Sequence, residues 1–236
     1  MILITLAGDS SRFFKAGFTI VKYKLLLEKK SVIELILGYI PRDQKILIVL
    51  NKKFKDLEFI SNLLLSMNFL SFKVVEIDKT SGQFETTILA LEEASDFWVE
   101  SDPLTIYNGD TIRKSNVWEF DNCDGFIEVF ESEGLHWSFV DKIGKVDLVT
   151  EKKRISSFCS SGLYYFKHIK FILEIRNEYL GYNLGELFIA PCYNLLIKKG
   201  LYIKSDKVDK SRFVFCGTPN EYKDAIQKAP LLLDLN

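Results

Sequence analysis

Histidine is nearly missing from this sequence: His136 and His168 are the only two, and neither has a second histidine at metal-binding spacing, which leaves zinc chemistry almost without support. Cysteine is sparse as well. Cys123, Cys159, Cys192 and Cys216 are scattered with no Cys-x-x-Cys pair, arguing against a structural zinc site or a secreted disulfide framework and for a reducing cytoplasm. No apolar run approaches the roughly 20 residues that span a bilayer, and the longest, such as Lys45–Leu50, have strand length. The apolar start, Met1 to Gly8, lacks a basic segment and runs into a polar loop instead of a small-residue cleavage site, so it reads as a core strand. Charge of one sign is not in excess either: 31 Lys and Arg against 32 Asp and Glu give a net charge of -1, which provides no field to recruit nucleic acid or an acidic membrane. There is no repeat, no long charge block and no linker rich in Gly, Pro or Ser.

What the chain does have is apolar and aromatic mass. Hydrophobic residues make up 47% and aromatic residues 14% of 236 residues, which excludes a disordered chain and suffices for one large domain. Short apolar runs alternate with helical patterns through the first half. Ile2–Leu6, Lys45–Leu50, Phe72–Ile77 and Leu104–Tyr107 read as strands buried on both faces, since they show no clean alternation. Between them, Ser31-Val-Ile-Glu34 has capping-box form and opens a helix over Val32–Leu37, with further helices expected over Phe54–Met67 and Phe84–Ala94. From about Asp124 closely spaced strand-like runs follow, Phe126–Phe130, Trp137–Val140, Lys145–Val149 and Gly162–Phe166, and this section reads as mixed or antiparallel. Helices are expected around Ile169–Tyr179 and over Glu186–Lys199, the latter stopping at Gly200, and Thr218-Pro-Asn-Glu221 is a cap-like helix start. The expected fold is α/β and doubly wound: a mostly parallel, Rossmann-like mixed sheet flanked by helices, with a β-rich extension, as one domain over 1–236.

The first strand ends in Leu6-Ala-Gly-Asp-Ser-Ser-Arg-Phe13, with Val21-Lys-Tyr-Lys24 further on. Ligands of doubly wound sheets sit beyond the carboxyl ends of the strands, so a small-residue loop here can bring backbone N–H groups close to phosphates. Arg12 adds a fixed fork and Lys22 a mobile point charge, a pair suited to polyphosphate. By itself the loop reads equally well as an ordinary connection with solvated basic residues. A P-loop is absent, and the dinucleotide fingerprint fails because Ser10 and Phe13 stand where glycines are required.

The segment resembles instead the signature of nucleotidyltransferases that act on sugar phosphates and related phosphorylated acceptors: Ala-Gly-x-Gly-x-Arg-Phe, a spacer, Pro-Lys, then Gly-Lys before a helix. Ala7, Gly8, Arg12, Phe13, Lys22 and Lys30 fall in register, while Ser10, Val21 and Lys29 depart from it. Further segments agree in order: Gly82-Gln83 before a helix, Tyr107-Asn-Gly-Asp110, Trp137-Ser138, Thr150-Glu-Lys152, Ser160-Ser-Gly-Leu-Tyr-Tyr-Phe166, Glu186, Tyr193-Asn194 and Cys216-Gly-Thr-Pro219. Alone, each has an ordinary structural explanation, and only their joint order raises them above it.

The resemblance implies a nucleotide-binding half over 1–123 and an acceptor-binding half over 124–236. It implies attack of an acceptor phosphate oxygen on the α-phosphorus of a nucleoside triphosphate, with Arg12 and Lys22 catalytic. Leu6, Ala7, Gly8, Asp9, Ser10, Ser11, Gln83 and Gly109 would bind the nucleotide, Gln83 reading the base. Trp137, Glu151, Lys152, Gly162, Tyr164 and Glu186 would bind the acceptor, and Asp110 would hold Mg²⁺. Many relatives carry a second acidic ligand where Cys216 stands here. Since magnesium does not favour a thiol, either one carboxylate suffices, or an acid such as Glu186 or Asp209 contributes, or activity is impaired. Lys15-Ala-Gly-Phe-Thr-Ile-Val-Lys-Tyr23, Trp137-Ser138 and the short C-terminal region look most like the compact branch that modifies capsule precursors, a resemblance that implies CTP as donor and L-glutamine phosphate as acceptor, giving CDP-L-glutamine. Phosphocholine and sugar 1-phosphates remain alternatives, as do a metal-dependent glycosyltransferase, disfavoured because Asn108 replaces the first acid of an Asp-x-Asp, and a non-catalytic nucleotide binder. A homodimer stays open, because no segment marks an interface.

Overall fold

Strand β1 (Ile2–Leu6) sits in the middle of the sheet, with β2 (Lys45–Asn51) parallel on one side and β4 (Leu104–Asn108) parallel on the other; β3 (Ser71–Ile77) extends the parallel run beyond β2. The structure is a computed structural model that describes residues 1–114, 120, 122–182 and 185–232, with side chains up to residue 227. Side chains of β1 and β2 alternate between two cores. Leu3, Leu47 and Val49 pack in the core that includes α4 (Gln83–Glu93), whereas Ile2, Ile4, Leu6, Ile46, Ile48 and Leu50 pack with α2 (Val32–Gly38) and α3 (Leu57–Ser66). Both faces are covered, which is why these strands are apolar throughout. Helix α1 (Ser11–Lys15) follows the β1 loop. The capping box of α2 forms as expected: Ser31 Oγ accepts from the Glu34 amide, and Glu34 Oε2 accepts from the Ser31 amide at 2.6 Å.

The second half completes the sheet. β9 (Phe158–Phe166) runs antiparallel between β4 and β6 (Gly125–Glu131), and β10 (Ile203–Lys207) lies parallel to β6 at the far side. β7 (Ser138–Val140) and β8 (Val149–Glu151) form a small antiparallel pair joined to β9, while β5 (Thr111–Arg113) pairs with β11 (Phe213–Phe215). The architecture is therefore doubly wound α/β, with a parallel centre and a mixed, β-rich second half. Among the described residues no helix is long and apolar enough to cross a membrane.

Four expected elements differ. Lys145–Val149 is not one strand: Gly144–Lys145 pairs with β10, β8 begins at Val149, and Asp141 accepts from the Asp147 and Leu148 amides to hold the turn between them. Phe54–Met67 is shortened at its start because Lys55 takes a left-handed conformation (φ 54°) between a 3₁₀ turn and α3. Ile169–Tyr179 divides into α5 (Ile169–Glu174) and α6 (Arg176–Leu180). Glu186–Lys199 reduces to α7 (Tyr193–Lys198), preceded by a 3₁₀ turn at Ala190–Cys192, where Pro191 has no N–H to give a longer helix. The terminal helix α8 (Pro219–Leu232) starts where the cap-like motif stands, with the Thr218 hydroxyl accepting from the Glu221 amide at 3.2 Å.

Candidate active site

Because β1 and β4 are parallel neighbours, their carboxyl ends open side by side, and the turn after β4 closes onto β1. Gly109 permits that approach: a Cβ there would lie 2.2 Å from Leu6 Cδ2 and 2.7 Å from the Thr5 carbonyl. Two residues that depart from the resembled pattern hold the backbone of the β1 loop. Ser10 holds the left-handed conformation (φ 50°, ψ 23°) that a glycine would supply, and its hydroxyl accepts from the Lys22 amide at 3.1 Å. Val21 sits at φ −65°, the value a proline ring enforces, with ψ 148°. The two segments are thereby tied together.

A cleft of about 660 Å³ runs from this loop to the β-rich half. Ala7, Gly8, Asp9, Arg12, Lys22, Gln83, Gly109 and Asp110 line it at one end, and Trp137, Glu151, Tyr164 and Glu186 at the other. Lys22 Nζ lies 2.6 Å from Asp110 Oδ2. Asp9 is compensated on both sides: it accepts from Asn51 Nδ2 at 3.2 Å and pairs with Lys79 Nζ at 2.9 Å. At the far end Ser138 donates to Glu151, and burial raises the Glu151 carboxyl above the usual carboxylate range, with the Ser138 hydrogen bond opposing the rise. Trp137 packs edge-on against Phe130 and at a tilt against Phe215, with ring centroids 5.1 Å apart in both contacts.

Five of the sequence-designated residues do not line the cleft. Leu6 is in the core, Ser10 is buried in its supporting role, and Ser11 is exposed at the start of α1. Lys152 stands beside the cleft, 3.7 Å from Glu186 Oε2 and over the Phe188 ring at 4.3 Å. Gly162 lies behind Asn108 at the irregularity of β9, with φ +87°, and Asn108 Nδ2 is 2.2 Å from where its Cβ would be.

Cys216 is buried, and burial together with the nearby Asp110 and Glu221 carboxylates pushes its thiol up to about 12. It is a neutral thiol and no ligand for a hard cation. Asp209 caps the Lys210–Arg212 turn through Ser211 and does not line the cleft; Glu186 lies at the acceptor end. The acid that does stand with Asp110 is Glu221, in the first turn of α8. A Cβ on Gly217 would sit 3.0 Å from Asp110 Oδ2 and 3.3 Å from Glu221 Oε2, so the absence of a side chain there keeps open the space between the two carboxylates. The neighbouring Tyr222 anchors this turn by packing on Phe13 and Phe18 and donating to the Leu26 carbonyl at 2.7 Å. Two hard oxygen donors fit a magnesium ion that completes its shell with water and phosphate, and among the described residues no group of three or more His, Cys, Asp or Glu offers a fuller protein cage. Glu221 was hidden in the sequence because its spacing from Thr218 is fully explained by helix capping.

The start of α4 is held by chain pairing: the Phe84 amide donates to the Leu187 carbonyl at 2.9 Å and the Leu187 amide to the Ser81 carbonyl at 3.2 Å. A Cβ on Gly82 would meet Leu187 backbone at 2.4 Å. Gly82→Ala is therefore expected to push the Leu187 segment off the start of α4 and lower stability by about 1–3 kcal/mol, the cost of overpacking, measurable by thermal unfolding. Unchanged stability would show that this pairing does not hold the helix start.

No protein-family model matches the sequence, and no curated protein matches it. Among solved structures, the nucleoside-diphosphate-sugar pyrophosphorylase from Vibrio cholerae has a TM-score of 0.90 and 35% identity, covering 96% of this chain and 100% of that one. The inositol-1-phosphate CTP transferase from T. maritima shares the fold with a TM-score of 0.75 at 12% identity, covering 97% of this chain and 95% of that one. The UDP-glucose pyrophosphorylase from Acinetobacter baumanii does so with a TM-score of 0.74 at 14% identity, covering 99% and 94%. With more than a third of its residues identical to the Vibrio enzyme across that enzyme's whole length, and with the cleft at the same strand ends where its motifs fall, the chain belongs to the nucleoside-diphosphate-sugar pyrophosphorylase family of nucleotidyltransferases.

Proposed function

We propose that the chain transfers CMP from CTP to L-glutamine phosphate, giving CDP-L-glutamine and pyrophosphate, in the cytoplasmic stage of capsule modification. The observation that carries a phosphoryl-transfer reading is the single cleft that places Arg12, Lys22 and Asp110 at one end and Trp137, Glu151 and Glu186 at the other. An oxygen of the acceptor phosphate forms the new bond to the α-phosphorus. The bond from that phosphorus to the bridging oxygen breaks, and its electron pair leaves with pyrophosphate. Such transfer requires in-line positioning and charge neutralisation more than covalent help from the protein.

The residues divide that work. The Ala7–Asp9 segment faces the triphosphate, and Arg12 offers its fork to the departing pyrophosphate. Lys22 supplies a preorganised cation between donor and acceptor. Asp110 and Glu221 would hold magnesium, which neutralises triphosphate charge. Glu151, oriented by Ser138, accepts from N–H or O–H groups of the acceptor, and Lys152 stands near enough to meet its negative charge. A second reading, a sugar 1-phosphate acceptor, draws on the Vibrio relative's description as a nucleoside-diphosphate-sugar pyrophosphorylase and on the same Glu151, which would accept from sugar hydroxyls.

The test is pyrophosphate release with Mg²⁺ and CTP, offering L-glutamine phosphate, phosphocholine and a sugar 1-phosphate in separate reactions. Release with L-glutamine phosphate supports the proposal; release only with a sugar 1-phosphate replaces the acceptor. Nucleoside diphosphate release from a nucleotide sugar would point to glycosyl transfer, and CTP binding without any turnover to a non-catalytic binder.

A further inference from the structure

The Gln83 side chain is held by two groups from the strands beneath it. Its Nε2 donates to Thr5 Oγ1 at 2.9 Å and to Asn108 Oδ1 at 2.8 Å. A primary amide nitrogen carries two hydrogens, so both are engaged. Thr5 also fixes the sense of the amide. Its hydroxyl has one hydrogen, which it donates to the Tyr107 carbonyl at 3.3 Å, so towards Gln83 it acts as an acceptor and faces the nitrogen and not the oxygen of the amide. Asn108 is constrained in turn, because its side chain fills the space that Gly162 leaves open. Gln83 Oε1 is the one polar atom of that amide left over; among the described residues it has no hydrogen-bond partner and is not buried, and Gln83 lines the cleft.

We infer that Thr5 and Asn108 are specificity-determining positioning residues that lock Gln83 as a pure hydrogen-bond acceptor, so that the cleft favours a nucleobase presenting an amino group, cytosine among the pyrimidines. This rests on the reading of the cleft as a nucleoside triphosphate site. Cytosine brings an exocyclic N–H₂ to the accepting oxygen. Uracil and thymine carry a carbonyl oxygen at the corresponding carbon, and two lone pairs then face each other. Their N3–H can reach Oε1 only between two flanking carbonyls that the locked amide cannot serve, since its N–H groups are turned into the protein. A site built to accept disfavours a base whose carbonyl stands where the donor is needed, because one polar group on each side stays unpaired.

Thr5 is the residue to change, since valine has nearly its shape and lacks its hydroxyl. Without that acceptor, Gln83 and Asn108 are free to invert together and present an N–H to the cleft. The experiment is titration calorimetry of CTP and UTP with Mg²⁺ and no acceptor, on the wild type, Thr5→Val and Thr5→Ser. The wild type is expected to bind CTP about tenfold or more tightly than UTP, from one satisfied hydrogen bond against an unpaired one. Thr5→Val should bring that preference below about threefold, half or less of the same term, and Thr5→Ser should restore it. UTP binding as tight as CTP in the wild type, or a preference unchanged in Thr5→Val, overturns the inference while leaving the nucleotide site intact. The wild-type comparison does so even where a variant fails to fold. Absence of binding by CTP, UTP, ATP and GTP alike overturns the nucleotide reading itself and the inference with it.

Discussion

Replacing Lys22 by alanine is expected to lower kcat/KM for pyrophosphate release by ~10²- to 10³-fold, the range seen when one preorganised group that meets transition-state charge is removed. The side chain projects from a short 3₁₀ turn, Lys22–Lys24, whose first amide is fixed by Ser10, so the ammonium is delivered to the cleft by a backbone that does not depend on it. Its 2.6 Å ion pair with Asp110 has both side chains 21% exposed. Water therefore screens the pair, and its loss should change stability by about 1 kcal/mol or less. Asp110→Asn is expected to fall to a similar depth, because it removes a carboxylate from the Gly217 space as well as the partner of Lys22. Steady-state kinetics beside thermal unfolding separates the two effects. A loss below tenfold in Lys22→Ala, with the fold intact, would falsify a transition-state role.

The largest expected effect on stability lies elsewhere. Arg113 and Glu128 form a bidentate ion pair whose side chains are 4% and 3% exposed, and Ser161 Oγ adds a hydrogen bond to Glu128 Oε1 at 2.6 Å. The pair joins β5 to β6 just below the cleft floor, which the buried Thr111, Ser160 and Ser161 line. Removing one partner strands a buried charge. Glu128→Ala is expected to cost about 3–5 kcal/mol, which at about 2–4 °C per kcal/mol for a chain of this size lowers Tm by roughly 6–20 °C. Replacing both residues with apolar side chains, Arg113→Met with Glu128→Leu, should recover most of that loss, since such a pair must overcome its own desolvation. Differential scanning calorimetry on the single and double variants decides the point: a single variant within 1 kcal/mol of wild type would show that water or a neighbouring acceptor compensates the arginine charge.

Neither Arg113 nor Glu128 stands out in the sequence, and the reason is general. The strands Ile2–Leu6 and Lys45–Asn51 were legible because burial on both faces writes itself as an uninterrupted apolar run. The α2 start was legible because capping acts over three residues. The same local logic misleads at Pro191, where a helical pattern is cut to a 3₁₀ turn by one missing N–H, and at Lys55, where a left-handed residue breaks a pattern without any glycine to announce it. The cleft divides in the same way. Loop residues Ala7, Gly8 and Arg12 fall in an ordered motif, whereas Thr5, Asn108 and Glu221 take their positions from contacts between residues about 80 to more than 100 apart in the chain, as in Thr5–Gln83 and Asp110–Glu221. Ser10 and Val21 look like departures in letters, yet Ser10 takes a left-handed conformation open to glycine and Val21 a φ open to proline.

β9 has a consequence for how two substrates gain entry. This one strand pairs with β4 through Leu163–Phe166 on one side and with β6 on the other, on both sides of an irregularity between Ser160 and Tyr164, and its Cys159 also pairs with Phe139 of β7. The half that carries Asp110 and the half that carries Glu151 thus share a continuous backbone wall instead of a flexible joint. A hinge between them would have to break that ladder, so jaw-like opening of the two halves is denied to this architecture. Passage falls to the rim, where the Asp9–Lys79 ion pair fastens the β1 loop to the segment before α4. That fastening is one hydrogen-bonded ion pair, exposed on its lysine side, so the mouth can widen there at small cost without disturbing the floor.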